Sequence, residues 1–205
     1  MDTTPFPFIS KTYPLILASA SPRRKQLMAQ AGIPFRVVVS GADEMNMTGD
    51  PNTQACALAE KKATKVFSLT EASWVLGADT VVVVGDRILG KPENPTDTRV
   101  MLTSLSGRTH QVITGFSLSA PSGDGVHCEA VSTEVRFKPL TAREIDAYIA
   151  TGEPEGKAGG YAIQGMGAFM VETISGSYTN VVGLPLCAVI KALIKVRALE
   201  CFPLV

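Results

Sequence analysis

Histidine is scarce in this sequence of 205 residues, at His110 and His127 only, which argues against a mechanism built on imidazole. Cysteine is scarce too: Cys56, Cys128, Cys187 and Cys201 lie far apart, with no C-x-x-C pair and no closely spaced histidine. That spacing argues against a zinc site or a disulfide framework and fits the reducing cytosol. No sign of charge prevails, since 19 Lys and Arg balance 19 Asp and Glu. A neutral chain has no general attraction for a nucleic-acid polymer or an anionic membrane, so any basic site must be local. No apolar run approaches the roughly 20 residues of a membrane-spanning helix. The start of the chain lacks a basic region followed by an apolar run, so no signal peptide is expected. Internal repeats and low-complexity tracts are absent as well. Composition therefore predicts a cytoplasmic protein.

What remains is ordinary for a folded domain: 45% hydrophobic and 19% charged residues. The length suits one large domain or two small lobes. The expectation is a leader over residues 1–13 and a single domain over 14–205. The most informative stretch is Leu15 to Met28, reading LILASASPRRKQLM. Leu15-Ile16-Leu17 is an apolar run of strand type, and Ser19 to Pro22 is a break. Ser21 suits an N-cap and Pro22 the first helical turn, with Gly32 and Pro34 closing the helix. The charge is anomalous. A helix N-terminus favours carboxylates, and each misplaced cation costs about 0.3–1 kcal/mol, yet Arg23, Arg24 and Lys25 crowd this one. Either the cations are simply solvated, or the free amides, serine hydroxyls and arginine forks hold a polyanion such as phosphate.

Further on, Phe35 to Val39 reads as a strand leading to Asp43-Glu44, and Thr53 to Phe67 as an amphipathic helix carrying Lys61 and Lys62. Trp74 to Val84 (WVLGADTVVVV) is a buried strand, and Gly85-Asp86 a hairpin turn before Arg87-Ile88-Leu89. Asp79 falls inside that apolar strand, where an unpaired carboxylate is expensive. It must be hydrogen-bonded to local backbone or held by a cation or metal. Gly85 to Lys91 satisfies G-x-x-x-x-G-K, but Pro92 follows instead of Ser or Thr, and the glycines sit in a hairpin, so a P-loop is rejected.

Helices are predicted over Thr96 to Leu105, from the Thr141-x-x-Glu144 capping box to Ile149, and from Pro185 to about Leu199. Strands are predicted over Gln111 to Ser119, Cys128 to Phe137 and Phe169 to Ile174, with Ser175 to Asn180 a polar connection. The glycine-rich Gly152 to Gly167 carries Lys157 and Gln164 as polar side chains. A loop of that length in a compact domain is usually functional, and glycine lets backbone amides approach a ligand. The distinctive set is therefore Arg23, Arg24, Lys62, Lys91, Asp79, Glu44 and Gln164. Cations for phosphates, carboxylates for magnesium and one carboxylate to activate water suggest phosphoanhydride hydrolysis.

From about Leu15 to Leu199 the sequence resembles the Maf family of nucleoside triphosphate pyrophosphatases. The match is carried by S-x-S-x-R-R at Ser19 to Arg24, L-G-A-D-T-V-V at Leu76 to Val82 and G-K-P at Gly90 to Pro92. K-A-G-x-Y-x-I-Q-G at Lys157 to Gly165 and G-S-Y…N-V-V-G-L-P at Gly176 to Pro185 complete it. The resemblance implies an α/β fold, with an elongated, twisted mixed β-sheet and flanking helices in two lobes around a central cleft. It implies hydrolysis of a nucleoside triphosphate to monophosphate and pyrophosphate with a divalent cation, Mg2+ or Mn2+.

By position, Asp79 would be the proton acceptor that activates water, and Glu44 with Asp79 would place the metal. Ser19, Ser21, Arg23, Arg24, Lys62 and Lys91 would bind the triphosphate. Arg23, Thr80 and Gln164 match positions associated with substrate choice, in a version that resembles the dTTP and UTP subgroup. A housecleaning role and a possible homodimer follow from the same resemblance. The alternatives are a 7-methyl-GTP enzyme of the same family and a non-catalytic nucleotide-binding regulator of septum formation.

Overall fold

The computed structural model describes residues 6–42, 49–70 and 72–204. Its elements are β1 (Leu15–Leu17), α1 (Pro22–Gln30), β2 (Phe35–Val37), α2 (Pro51–Phe67), β3 (Val75–Val84), β4 (Arg87–Leu89) and α3 (Pro95–Leu105). There follow β5 (Thr109–Ser119), β6 (Gly125–Phe137), α4 (Ala142–Ala150), β7 (Val171–Ser175), α5 (Tyr178–Val182) and α6 (Leu186–Lys195). Two 3-10 turns, Ala158–Gly160 and Met166–Met170, lie between α4 and β7.

The seven strands form one mixed sheet in the order β2-β1-β3-β5-β6-β7, with β4 paired to β3. β1 runs parallel to both β2 and β3, as crossovers through helices require. The β3–β4 and β6–β7 pairs are antiparallel. This is the mixed α/β architecture that the family resemblance implies. Among the described residues, no helix is long and apolar enough to cross a membrane.

The chain divides into two compact units. The first comprises Met1–Asp79, Thr114–Val131 and Gly183–Val205, the second Thr80–Ile113 and Ser132–Val182. In the first, Ile16, Ala18, Ala63, Val66 and Val75 form a buried cluster against which Val38 and Phe67 pack. Part of the expected leader is tied to this unit. The Ile9 amide donates to the Ala198 carbonyl at 2.9 Å, and Trp74 Nε1 donates to the Pro7 carbonyl at 3.1 Å. In the second unit, Val82, Val84, Leu102, Leu105, Phe137, Tyr148 and Tyr161 belong to one core. Asn180 is fully buried there and bonds the Val112 carbonyl and Thr133 Oγ1, each at 2.9 Å.

Several segments differ from expectation: β2 ends at Val37 rather than Val39, and Phe169 belongs to a 3-10 turn rather than to β7. The last helix stops at Lys195 rather than near Leu199. Arg197 adopts a left-handed φ of 58°, and the amides of Ala198 and Leu199 both return to the Leu193 carbonyl, which terminates the helix. The polar connection after β7 contains the short helix α5. Its first turn is nucleated at Ser177, whose carbonyl accepts from the amides of Asn180 and Val181 at 3.1 and 3.3 Å.

Candidate active site

The β1–α1 turn folds around Ser19 and Ser21. The Ser21 amide donates to Ser19 Oγ at 3.2 Å, and Ser21 caps α1 by accepting from the Arg24 amide at 3.5 Å. Arg24 turns inward and is only 9% exposed. Its Nη1 donates to Ser19 Oγ at 3.2 Å and its Nε to the Gly183 carbonyl at 2.7 Å. Arg24 therefore braces the turn from within, whereas Arg23 is half-buried at its side. The basic helix start is not a simply solvated one.

A second feature of the same unit is the contact of α2 with the sheet. A Cβ at Gly77 of β3 would lie 2.1 Å from the Ala59 carbonyl oxygen and 2.8 Å from the Ala63 nitrogen. At Gly115 of β5 it would lie 2.2 Å from the Ala55 carbonyl carbon. Ala55, Ala59 and Ala63 are fully buried, so helix backbone meets strand backbone with no side chain between. That approach brings Lys62 onto Asp79: Nζ lies 2.5 Å from Oδ1, with the two residues 7% and 8% exposed. Of the possibilities for Asp79, the chain uses a cation. Lys62 is accordingly not a solvated helix lysine, while its neighbour Lys61 is exposed.

The division between the units falls at the Asp79–Thr80 bond, which assigns Thr80, Lys91 and Gln164 to the second unit. Thr80 is half-buried on β3, and Lys91 and Gln164 are exposed. The glycine-rich segment is firmly attached within that unit. The Gly159 amide donates to the Gly90 carbonyl at 2.9 Å, next to Lys91, and Tyr161 Oη lies 2.8 Å from His110 Nε2. Gly159 has a φ of 70°, and a Cβ there would press within 3.0 Å of Val82, so this position requires glycine. Lys157 reaches back to the carbonyls of Glu153 and Glu155.

Glu44 lies outside the described residues. Among those described, no group of three or more His, Cys, Asp or Glu could hold a metal ion. Asp79 supplies one hard oxygen donor. Magnesium is commonly held by one or two carboxylates together with substrate phosphates, so this donor chemistry fits such an ion.

Sequence reasoning missed the supports behind these residues. No sequence pattern singles out Glu153 and Tyr148, which hold the glycine-rich segment, although Glu153 stands in its opening Gly-Glu-Pro. His110 is a buried structural residue with ring contacts to Phe137 and Tyr161 at centroid distances of 4.8 and 5.5 Å.

These residues sit in a chain whose relatives are known. A family model described as Maf-like protein matches residues 14–196. A dTTP/UTP pyrophosphatase from Geobacter sulfurreducens is 51% identical over 186 residues, 90% of this chain and 97% of that one. A dTTP/UTP pyrophosphatase from Halalkalibacterium halodurans is 49% identical over 181 residues, 88% of this chain and 94% of that one. Among solved structures, a nucleoside-triphosphatase / dITP/XTP pyrophosphatase from Mycobacterium abscessus matches with a TM-score of 0.38 and 13% identity, over 63% of this chain and 76% of that one. That last likeness is too slight to carry any weight. The chain belongs to the Maf-like protein family.

Proposed function

We propose that this chain hydrolyses dTTP and UTP, and modified pyrimidine nucleotides, to the monophosphate and pyrophosphate, as a housecleaning enzyme of nucleotide pools. The observation that carries the reading is the buried carboxylate of Asp79 on the Lys62 ammonium, inside the L-G-A-D-T-V-V segment. The names and identity of its relatives support the same substrates.

In this mechanism the Asp79 carboxylate accepts a proton from water as the water oxygen bonds to the α-phosphorus. The bond from that phosphorus to the bridging oxygen breaks, and pyrophosphate leaves with the bonding pair. Lys62 supplies a fixed positive charge beside Asp79, while Ser19, Ser21, Arg23, Arg24 and Lys91 hold the triphosphate and stabilise its developing charge. Asp79, with Glu44, would hold a divalent cation, Mg2+ or Mn2+, which would supply Lewis-acid stabilisation of the phosphoryl charge. Arg23, Thr80 and Gln164 set base preference, with the Gln164 amide pairing with the O4 and N3–H edge shared by uracil and thymine. All four cysteines are free thiols, which suits a cytosolic location. A homodimer is the assembly we expect.

The test is pyrophosphate release from a panel of nucleoside triphosphates with magnesium or manganese, and with an EDTA control. Metal-dependent release from dTTP and UTP, with little from ATP or GTP, is the expected result. Turnover mainly of 7-methyl-GTP would overturn the specificity. Binding of nucleotides without turnover would overturn the enzyme and favour a regulator.

A further inference from the structure

Glu153, just past the end of α4, is the hub of the second unit's glycine-rich segment. Its Oε1 accepts from Tyr148 Oη at 2.8 Å and from the Gly167 amide at 2.9 Å, and its Oε2 accepts from the Met166 amide at 2.9 Å. Tyr148 Oη in turn accepts from the Ala162 amide at 3.1 Å. One carboxylate and one phenol thus take backbone amides on both sides of Gln164, two residues before it and two and three residues after.

The chain makes room for this arrangement. A Cβ at Gly165 would lie 2.1 Å from Glu153 Oε2, and one at Gly167 would lie 2.7 Å from Tyr148 Oη. Either side chain would push the carboxylate–phenol pair away from the loop. Burial raises the Glu153 pKa, but the Gly167 amide, the Tyr148 hydroxyl, the Met166 amide and the Lys157 charge outweigh it and leave the group lowered. The carboxylate is therefore ionised at neutral pH, and an ionised acceptor makes the stronger hydrogen bonds. Phosphoanhydride hydrolysis as derived above has no use for this third acid.

We propose that Glu153 is a positioning residue for base selectivity, fixing through Tyr148, Met166 and Gly167 the loop that presents Gln164. The inference rests on the dTTP/UTP reading for the role of Gln164, though not for the geometry of the loop. Pre-organised polar groups discriminate because a wrong base leaves them unpaired, and a loop that wanders loses that penalty.

The test uses the full chain with Glu153→Gln. Glutamine keeps the shape, but its amide nitrogen turns a donor toward groups that the carboxylate accepts from. Hydrogen exchange should then show the Met166 and Gly167 amides losing protection by about tenfold or more, with the β3 amides unchanged. Kinetics should show KM for dTTP and UTP rising about tenfold, the preference over CTP falling by a comparable factor, and kcat changing by less than about threefold. Tyr148→Phe, which removes the phenol and keeps the ring, should shift both readouts the same way and serves if the first variant fails to fold.

Unchanged protection at Met166 and Gly167 would overturn the proposal, and so would an equal loss of kcat/KM for all three nucleotides. The wild-type enzyme reads the underlying assumption separately. If it shows no preference for dTTP and UTP over CTP, the selectivity role falls with that reading, and the exchange data alone decide whether Glu153 anchors the loop.

Discussion

Lys62 and Asp79 form a contact ion pair inside the first unit, with Nζ 2.5 Å from Oδ1 and the two side chains 9% and 11% exposed. Neither charge has enough water around it to do without the other. Breaking a buried pair by removing one partner costs about 3–5 kcal/mol, because the remaining charge is left uncompensated. Lys62→Met should therefore destabilise the fold by about that amount and abolish most turnover. Adding Asp79→Asn should restore part of the lost stability, since the stranded charge is gone. Urea unfolding of the two single variants and the double one measures the coupling; strict additivity would contradict it.

The pair depends on a glycine it does not touch. Gly77→Ala places a methyl 2.1 Å from the Ala59 carbonyl oxygen, which only a shift of α2 can relieve. The expected loss is about 3 kcal/mol or more, with kcat falling as Lys62 moves. Gly90→Ala is the control, since a Cβ there meets nothing within 4 Å and its φ is not positive. Its unfolding midpoint in urea should stay close to wild type. Equal effects at the two positions would contradict the close-packing account.

His110 gives the second unit a pH dependence. Burial lowers its pKa from 6.5 to about 4, against a smaller opposing influence of the Arg108 backbone. The unfolded chain takes up a proton near pH 6.5, while the folded chain resists until about pH 4. Stability is thus complete above pH 6.5 and falls as pH drops toward 4, by roughly 3 kcal/mol in all. The lowered carboxylates act in a more acidic range that meets this one between pH 4.5 and 4. Glu144, brought to about 2 mainly by the Lys138 ammonium and the Thr141 amide and hydroxyl, contributes above its ordinary value of 4.5 and loses that contribution below it. His110→Gln should flatten the slope between pH 6.5 and 4 in denaturant midpoints; an unchanged slope would assign it to other groups.

Much of this was legible in the residues. The hairpin at Gly85-Asp86, the Ser21 cap with Pro22 behind it, and the Thr141–Glu144 capping box all formed as local chemistry directs. Asp79 drew notice because a carboxylate inside an apolar strand requires a partner, although spacing alone did not select Lys62. Other features were not legible because their causes are tertiary. Arg197 stops α6 by adopting a left-handed backbone that no glycine or asparagine announced. Glu153 resembles any surface acid in sequence, and only the fold brings the Met166 and Gly167 amides onto it. A clue was present in Gly165 and Gly167, whose missing side chains reserve space for a group supplied from elsewhere.

The most direct test of the central claim is turnover of dTTP by Asp79→Asn alongside its affinity for the triphosphate. Asparagine is nearly isosteric but is a poor proton acceptor. The account predicts that pyrophosphate release falls by about 100-fold or more, within the 10²–10⁴-fold range typical of losing a general base, while nucleotide affinity changes little. Turnover near the wild-type rate with affinity intact would contradict it and remove Asp79 as the base.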